Sequence, residues 1–324
     1  MKGGFLNEET PGAKNGVSPV RIESNTSTTD DRSWSLAIMC SASPNAVASL
    51  SYPILAIGDL HGQSEEFDRL LDRVDRLAEW PDCAVVFLGD FVDRGPDSRK
   101  VIDRVLEILE RPPGGAAVMG NHDLALVHAA RLRSPEPPPH HYWLERYLSV
   151  YDAATTVRSY VGRTWSFEDE EKVRLALLED LRAAMPETHR RFLAELPWVV
   201  EASGHLFLHC GLSPELDADA LAQVEAMKRR CWDRSLLSPK PGTATDLYWQ
   251  PDYPVWLGAD RGLSNHPLRH PTKIQVTGHS QVPRPDANPA RIRIDTSGGY
   301  GPLTACLLTS PTDPPHFISS WDHL

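Results

Sequence analysis

Three apolar runs each stop at a glycine followed by a polar, chemistry-bearing residue, and helix-like stretches separate them. The runs are YPILAI (52–57) before GDLHG (58–62), CAVVFL (83–88) before GDFVDRG (89–95), and GAAVM (115–119) before GNHD (120–123). Between them, Phe67, Leu70, Leu71, Val74 and Leu77 recur at helical spacing over 64–79. Val101, Ile102, Val105, Leu106 and Leu109 do the same over 97–110. Short buried runs alternating with amphipathic helices predict a β-α-β-α-β unit and hence parallel strands. In such a sheet the carboxyl ends of neighbouring strands lie side by side and form the ligand crevice. Asp59, His61, Asp90, Asp93, Arg94, Asn121 and His122 are thereby expected on one edge. Asp59 and Asp90 stand 31 positions apart, as do Asp90 and Asn121, which reports two similar βα units.

The rest of the chain extends this pattern. Residues 122–200 read as mostly helical, broken by a proline-rich loop, SPEPPP (134–139). Further strands are expected in HLFLHC (205–210), KIQVTG (273–278), RIRID (291–295) and LTACLLT (303–309). Two of them end at HCG and TGH, which adds His209 and His279 to the edge. Residues 211–272 read as a loop-rich insert carrying Trp232, Tyr248, Trp249, Tyr253 and Trp256. Residues 1–50 are rich in Ser, Thr, Asn and Gly with few apolar residues, and are expected to be a disordered extension ahead of one domain over 51–324.

Charge and cysteine usage narrow the partners. With 33 Lys and Arg against 44 Asp and Glu, the net charge is −11, which argues against a nucleic-acid surface. No apolar run is long enough for a membrane span. The five cysteines are scattered without a C-x-x-C pair, as expected of reduced thiols in the cytoplasm.

A Gly-Asp after one strand is ordinarily a turn, and a lone histidine on an apolar strand is ordinarily a core residue. Five such segments in order, all at strand ends, make a metal site the better reading, and carboxylates with imidazoles suit Mn, Fe or Zn. Asp90 is the residue expected to bridge two ions, with Asp93 and Arg94 beyond it facing the substrate.

The segments GDLHG, GDFVDRG, GNHD, HCGL and TGH resemble the signature of the metal-dependent phosphoprotein phosphatases, within the calcineurin-like metallophosphoesterase superfamily. IDTSGGYGPLTACLL (294–308) is similar to the C-terminal strand pair of bacterial and phage members, and DSRKVID and PETHRRFL resemble the bacterial branch that includes the Rhizobiales-like phosphatases. The resemblance runs from about residue 54 to 309 and implies an α/β fold, a β-sandwich of two mixed sheets flanked by helices, here with an inserted helical lobe. It implies two divalent ions, Mn being expected and Fe or Zn the alternatives. Asp59 and His61 would hold the first ion, Asp90 would bridge, and Asn121, His209 and His279 would hold the second. Asp93 would orient His122 as the general acid. Arg94 would bind phosphate, with Asn121 beside it and Arg234, or else Arg261, as a second arginine. The chain departs from the pattern at Asp123, where most members have Glu, and at Cys210, where they have a second Gly.

The resemblance further implies attack on phosphorus by a hydroxide bridged between ions ~3.5–4 Å apart, with no covalent intermediate. The expected substrate is a phosphorylated protein or peptide, at Ser or Thr. A tyrosine phosphatase, a symmetrical dinucleoside tetraphosphatase and a non-catalytic binding relative are the alternatives.

Overall fold

The computed structural model describes residues 50–133, 143–166, 168–230, 241 and 268–322. Residues 1–49 of the extension expected over 1–50, the SPEPPP loop, the aromatic residues of the insert, Arg234 and Arg261 lie outside the described residues.

The expected β-α-β-α-β unit is present: β1 (Ile54–Ile57), α1 (Ser64–Val74), β2 (Ala84–Phe87), α2 (Ser98–Leu109) and β3 (Gly115–Ala117). Helix α1 stops five residues short of its expected end, at Val74, where its buried stripe Phe67, Leu70, Leu71 and Val74 ends. Helix α2 starts after Asp97, whose carboxylate accepts the Lys100 N–H at 3.0 Å and so satisfies one orphan donor of the first turn. Strand β1 pairs in parallel with β2, and β2 with β3. The C-terminal pair β9 (Thr304–Leu308) and β10 (His316–Ser319) adds antiparallel strands on the far side of β1, giving the order β10-β9-β1-β2-β3.

The second sheet has the order β4-β5-β6-β8-β7, from β4 (Val199–Glu201), β5 (His205–Leu208), β6 (Ile274–Thr277), β7 (Asp286–Ala287) and β8 (Arg291–Arg293). Its centre, β5-β6-β8, is parallel and its edges are antiparallel. Both sheets are therefore mixed, as expected. Alternation along β1 and β2 explains their assembly. Ile54, Ala56, Ala84 and Val86 join a buried cluster with Val200, Phe207, Val276 and Ile292 of the second sheet, while Leu55, Ile57, Val85 and Phe87 pack into the larger core with the helices. Strands covered on both faces read as unbroken apolar runs, which is why they stood out.

Between the sheets in sequence come α3 (Asn121–Ala129), α4 (Trp143–Ser149), α5 (Ala154–Val161), α6 (Glu171–Ala184) and α7 (Glu187–Glu195), the expected helical lobe. Two readings need correction. The stretch taken as helical to residue 200 ends in a strand, β4, because Val199 and Val200 pair with Leu208 and Phe207 of β5. The insert after residue 211, read as loop-rich, contains the helix α8 (Ala220–Lys228), capped by Asp219 and buried along Ala220, Val224 and Met227. Among the described residues no helix is long and apolar enough to cross a membrane.

Candidate active site

The strand-end segments meet where the carboxyl ends of both sheets come together. Asp59 and His61 follow β1, Asp90 follows β2, Asn121 and His122 open α3 after β3, and His209 and His279 follow β5 and β6. All are buried except His279, which is half-buried. Donor atoms of His61, Asp90 and His122 lie within 4.8 Å of one another, and so do those of Asp90, His209 and His279. Asp90 belongs to both groups. Its Oδ2 is 3.4 Å from His61 Nε2 and 3.4 Å from His209 Nε2. Asp59 Oδ2 stands 4.0 Å from His61 Nε2, and both Asp59 oxygens accept the His279 backbone N–H, at 3.1 and 3.0 Å.

The imidazoles are oriented by the backbone. His61 Nδ1 faces the Val92 carbonyl at 3.0 Å and His209 Nδ1 faces the Leu88 carbonyl at 2.7 Å. A carbonyl can only accept, so each Nδ1 carries the proton, and in the neutral ring each Nε2 presents a lone pair to the site. Asn121 Oδ1 lies 2.9 Å from His209 Nε2 and 2.9 Å from His279 Nδ1, and those two nitrogens are 3.2 Å apart. A proton or a cation shared among these atoms would satisfy them.

The protonation equilibria report the same demand. Burial opposes charge on His209, but the Asp90 and Asp59 carboxylates outweigh it and push the imidazole up to about 10. His279 is pushed down to about 3 by burial and by the charge of His209. Burial drives Asp59 well above the carboxylate range, helped by Asp295 and Asp90. Asp90, despite burial, is held well below it by His209, His122 and His61. The pocket thus takes one positive charge readily, and a divalent ion would replace that proton. Oxygen and imidazole donors in this number fit Mn, Fe or Zn.

The backbone here is unusual. Among the described residues, the non-glycine residues in the left-handed region are His61, Asp90, Asp93, Arg94, Arg131, Arg230 and His279, and five of these seven are site residues. Such conformations cost about 1–3 kcal/mol each and persist only where surroundings enforce them. Asp123 does so for Asp90. Its carboxylate accepts the N–H groups of Asp90 at 2.7 Å, Phe91 at 2.9 Å and Gly120 at 2.9 Å. Burial, with the charge of Asp90, pushes Asp123 up to about 7. Glycine is required by close approach at two strand ends. A Cβ on Gly120 would fall 2.1 Å from Asp90 Oδ1, and one on Gly278 1.9 Å from Asp59 Oδ1. Cys210, beside His209, is fully buried.

Asp93, His122 and Arg94 form the outer part. His122 Nδ1 donates to Asp93 Oδ2 at 2.8 Å. Asp93 Oδ1 accepts hydroxyls from Thr156 at 2.7 Å and Tyr147 at 3.0 Å. The Asp93 N–H donates to Thr156 Oγ1 at 2.8 Å. The Tyr151 ring stands edge-on to His122 with centroids 4.5 Å apart. Arg94 donates to His61 Nε2 at 2.8 Å and to His122 Nε2 at 3.2 Å. Tyr147, Tyr151 and Thr156 were not anticipated. They come from the helical lobe, whose sequence carries no signal beyond apolar spacing, whereas Asp123 lay in plain view inside GNHD.

A mixed two-sheet α/β frame with a carboxylate–imidazole cluster at its strand ends defines a metal-centre protein. Residues 52–283 match the family described as calcineurin-like phosphoesterase. The symmetrical bis(5'-nucleosyl)-tetraphosphatase of Janthinobacterium sp. (strain Marseille) is 30% identical over 175 residues, 54% of this chain and 48% of that protein. The serine/threonine-protein phosphatase BSL2 of Arabidopsis thaliana is 36% identical over 92 residues, 27% of this chain and 9% of that protein. A solved serine/threonine phosphatase from Saccharomyces cerevisiae aligns with 84% of this chain and 81% of its own, at 14% identity and a TM-score of 0.46. The chain therefore spans half or less of the length of these curated relatives. It belongs to the calcineurin-like phosphoesterase family, which uses a dinuclear divalent metal site.

Proposed function

We propose that the protein is a metal-dependent phosphomonoesterase acting on phosphoserine or phosphothreonine in proteins. Asp59, His61 and Asp90 would hold one ion, and Asp90, Asn121, His209 and His279 a second. When bound, the ions supply Lewis-acid chemistry that makes water nucleophilic near neutral pH and offsets phosphoryl charge. Arg94 offers two N–H groups in a planar fork that suits two phosphoryl oxygens, and Asn121 stands beside them. His122, through Nε2, delivers a proton to the departing oxygen. Asp93, fully buried and accepting from Nδ1–H, fixes the ring so that Nε2 faces the departing oxygen.

The observation that carries the reading is the Asp93–His122 bond at 2.8 Å. A serine or threonine alkoxide is a strong base and cannot leave without a proton, so a buried, fully oriented acid is most useful there. The relatives support a second reading. Several are symmetrical dinucleoside tetraphosphatases, so hydrolysis of a dinucleoside polyphosphate is the alternative. Its leaving group is a far weaker base and gains less from His122. A tyrosine phosphate falls between the two.

Two measurements test this. Chelator-treated protein should lose turnover of p-nitrophenyl phosphate and regain it with Mn, and undiminished turnover without metal would refute the metal dependence. Side-by-side kcat/KM on phosphoserine, phosphothreonine and phosphotyrosine peptides and on diadenosine tetraphosphate identifies the substrate. A tenfold or greater preference for the dinucleotide would overturn the protein-substrate reading in favour of the second.

A further inference from the structure

The loop between β8 and β9, Asp295–Gly301, reaches back over the site. Asp295 Oδ1 accepts the N–H groups of Ser297 and Gly298, both at 3.0 Å, which shapes the turn. Gly298 and Gly299 follow with φ of 50° and 85°, conformations that favour glycine. The backbone of Gly299 lies against the stem of Arg94, and a Cβ there would fall 2.3 Å from Arg94 Cδ. The Gly298 carbonyl accepts Arg94 Nη1 at 3.0 Å. On the opposite side, the Asp152 carbonyl, between α4 and α5, accepts the Arg94 backbone N–H at 3.0 Å. Arg94 is thus held between the helical lobe and the C-terminal loop. One further bond joins these walls: the Tyr300 hydroxyl donates to Asp152 Oδ2 at 3.0 Å.

Tyr300 is 71% exposed, so its ring adds little to the core and its hydroxyl has water available. Neither packing nor satisfaction of a buried polar group explains the bond. What the bond does connect is the two segments that grip Arg94.

We propose that the Tyr300–Asp152 hydrogen bond is a clasp that pre-orients Arg94, with Tyr300 and Asp152 as positioning residues. This rests on the reading of Arg94 as the phosphate-binding arginine. A free arginine side chain loses rotamer freedom when it grips an anion, and one already held loses less, so the clasp strengthens phosphate binding without touching the departing oxygen. Its loss should weaken binding and leave the chemical step nearly unchanged.

The test uses the Mn-loaded full chain, with KM and kcat for p-nitrophenyl phosphate and the calorimetric Kd for inorganic phosphate. Tyr300→Phe should raise KM and Kd about three- to tenfold, the worth of one hydrogen bond, with kcat within about twofold. Asp152→Ala should do the same. Asp152→Asn, which keeps an oxygen acceptor, should stay near the parent. Arg94→Ala should raise both constants further, and adding Tyr300→Phe to it should change nothing more. Equal effects of Tyr300→Phe with and without Arg94, or no effect in the parent, would overturn the clasp while leaving the role of Arg94 intact. Unchanged KM and Kd in Arg94→Ala would instead remove the phosphate-binding reading, and the clasp with it.

Discussion

Replacing Asp93 by Asn changes one atom at the site but reverses a hydrogen bond. In the native protein, Oδ1 of Asp93 receives the Tyr147 and Thr156 hydroxyls and Oδ2 receives His122 Nδ1–H. Two hydroxyl donors outnumber one imidazole, so the amide oxygen of the Asp93→Asn variant is expected to stay with them while its NH2 turns toward His122. The imidazole must then accept at Nδ1 and carry its only proton on Nε2, so giving that proton up would leave an imidazolate. A general acid is worth about 10²–10⁴ in rate, or about 3–5 kcal/mol of barrier. Turnover of a phosphoserine peptide should fall by that factor. Turnover of p-nitrophenyl phosphate, whose leaving group is weakly basic, should fall far less. Adding Tyr147→Phe and Thr156→Val frees the amide to present its oxygen to His122 and should restore part of the lost turnover. Elemental analysis should show undiminished metal, because Asp93 donates to neither ligand group. A loss of less than tenfold on the peptide, or equal losses on both substrates, would refute the acid role.

Other expectations follow from the same geometry. Asp90→Asn should lose metal before it loses fold, read by elemental analysis with circular dichroism, since Asp90 belongs to both donor groups. Gly278→Ala should do likewise, because its Cβ would displace Asp59 Oδ1; full metal content in either variant would contradict the assignment. His205, whose Nδ1 lies 2.5 Å from the Tyr52 hydroxyl, is pushed down to about 4 by burial. The unfolded chain then binds more protons between about pH 6.5 and 4, so stability is fully present above that window and falls as pH drops through it. The contribution is at most about 3 kcal/mol, 1.36 kcal/mol for each pH unit of the window. Urea unfolding at pH 7 and 4.5 should show a smaller fall for His205→Asn than for the parent; equal falls would exclude the histidine as the cause.

The apolar runs and their glycine-polar endings determined most of the frame and placed all six proposed metal ligands at strand ends, while their roles as ligands came from the resemblance that the motifs carry. A strand buried on both faces is a continuous apolar word, and a parallel sheet can only present its strand ends side by side, so local pattern and topology suffice there. The Asp93–His122 pairing was legible too, through the resemblance that the motifs carry. The three unanticipated strands were not. β4, β7 and β10 lie at sheet edges, where pairing with a neighbour rather than a long apolar run makes a strand. Nor could the sequence supply the outer support of the site. Tyr147 and Thr156 reach Asp93 across 54 and 63 positions, and Tyr300 reaches Asp152 across 148. Nothing in the spacing of the helical lobe distinguishes a hydroxyl that faces a carboxylate from one that faces water. That choice depends on how the helices dock, which is decided by packing over the whole core. The left-handed backbone at His61, Asp90, Asp93, Arg94 and His279 belongs to the same category. No local preference places five non-glycine residues there, and only the assembled hydrogen bonds and close packing around the strand ends hold them.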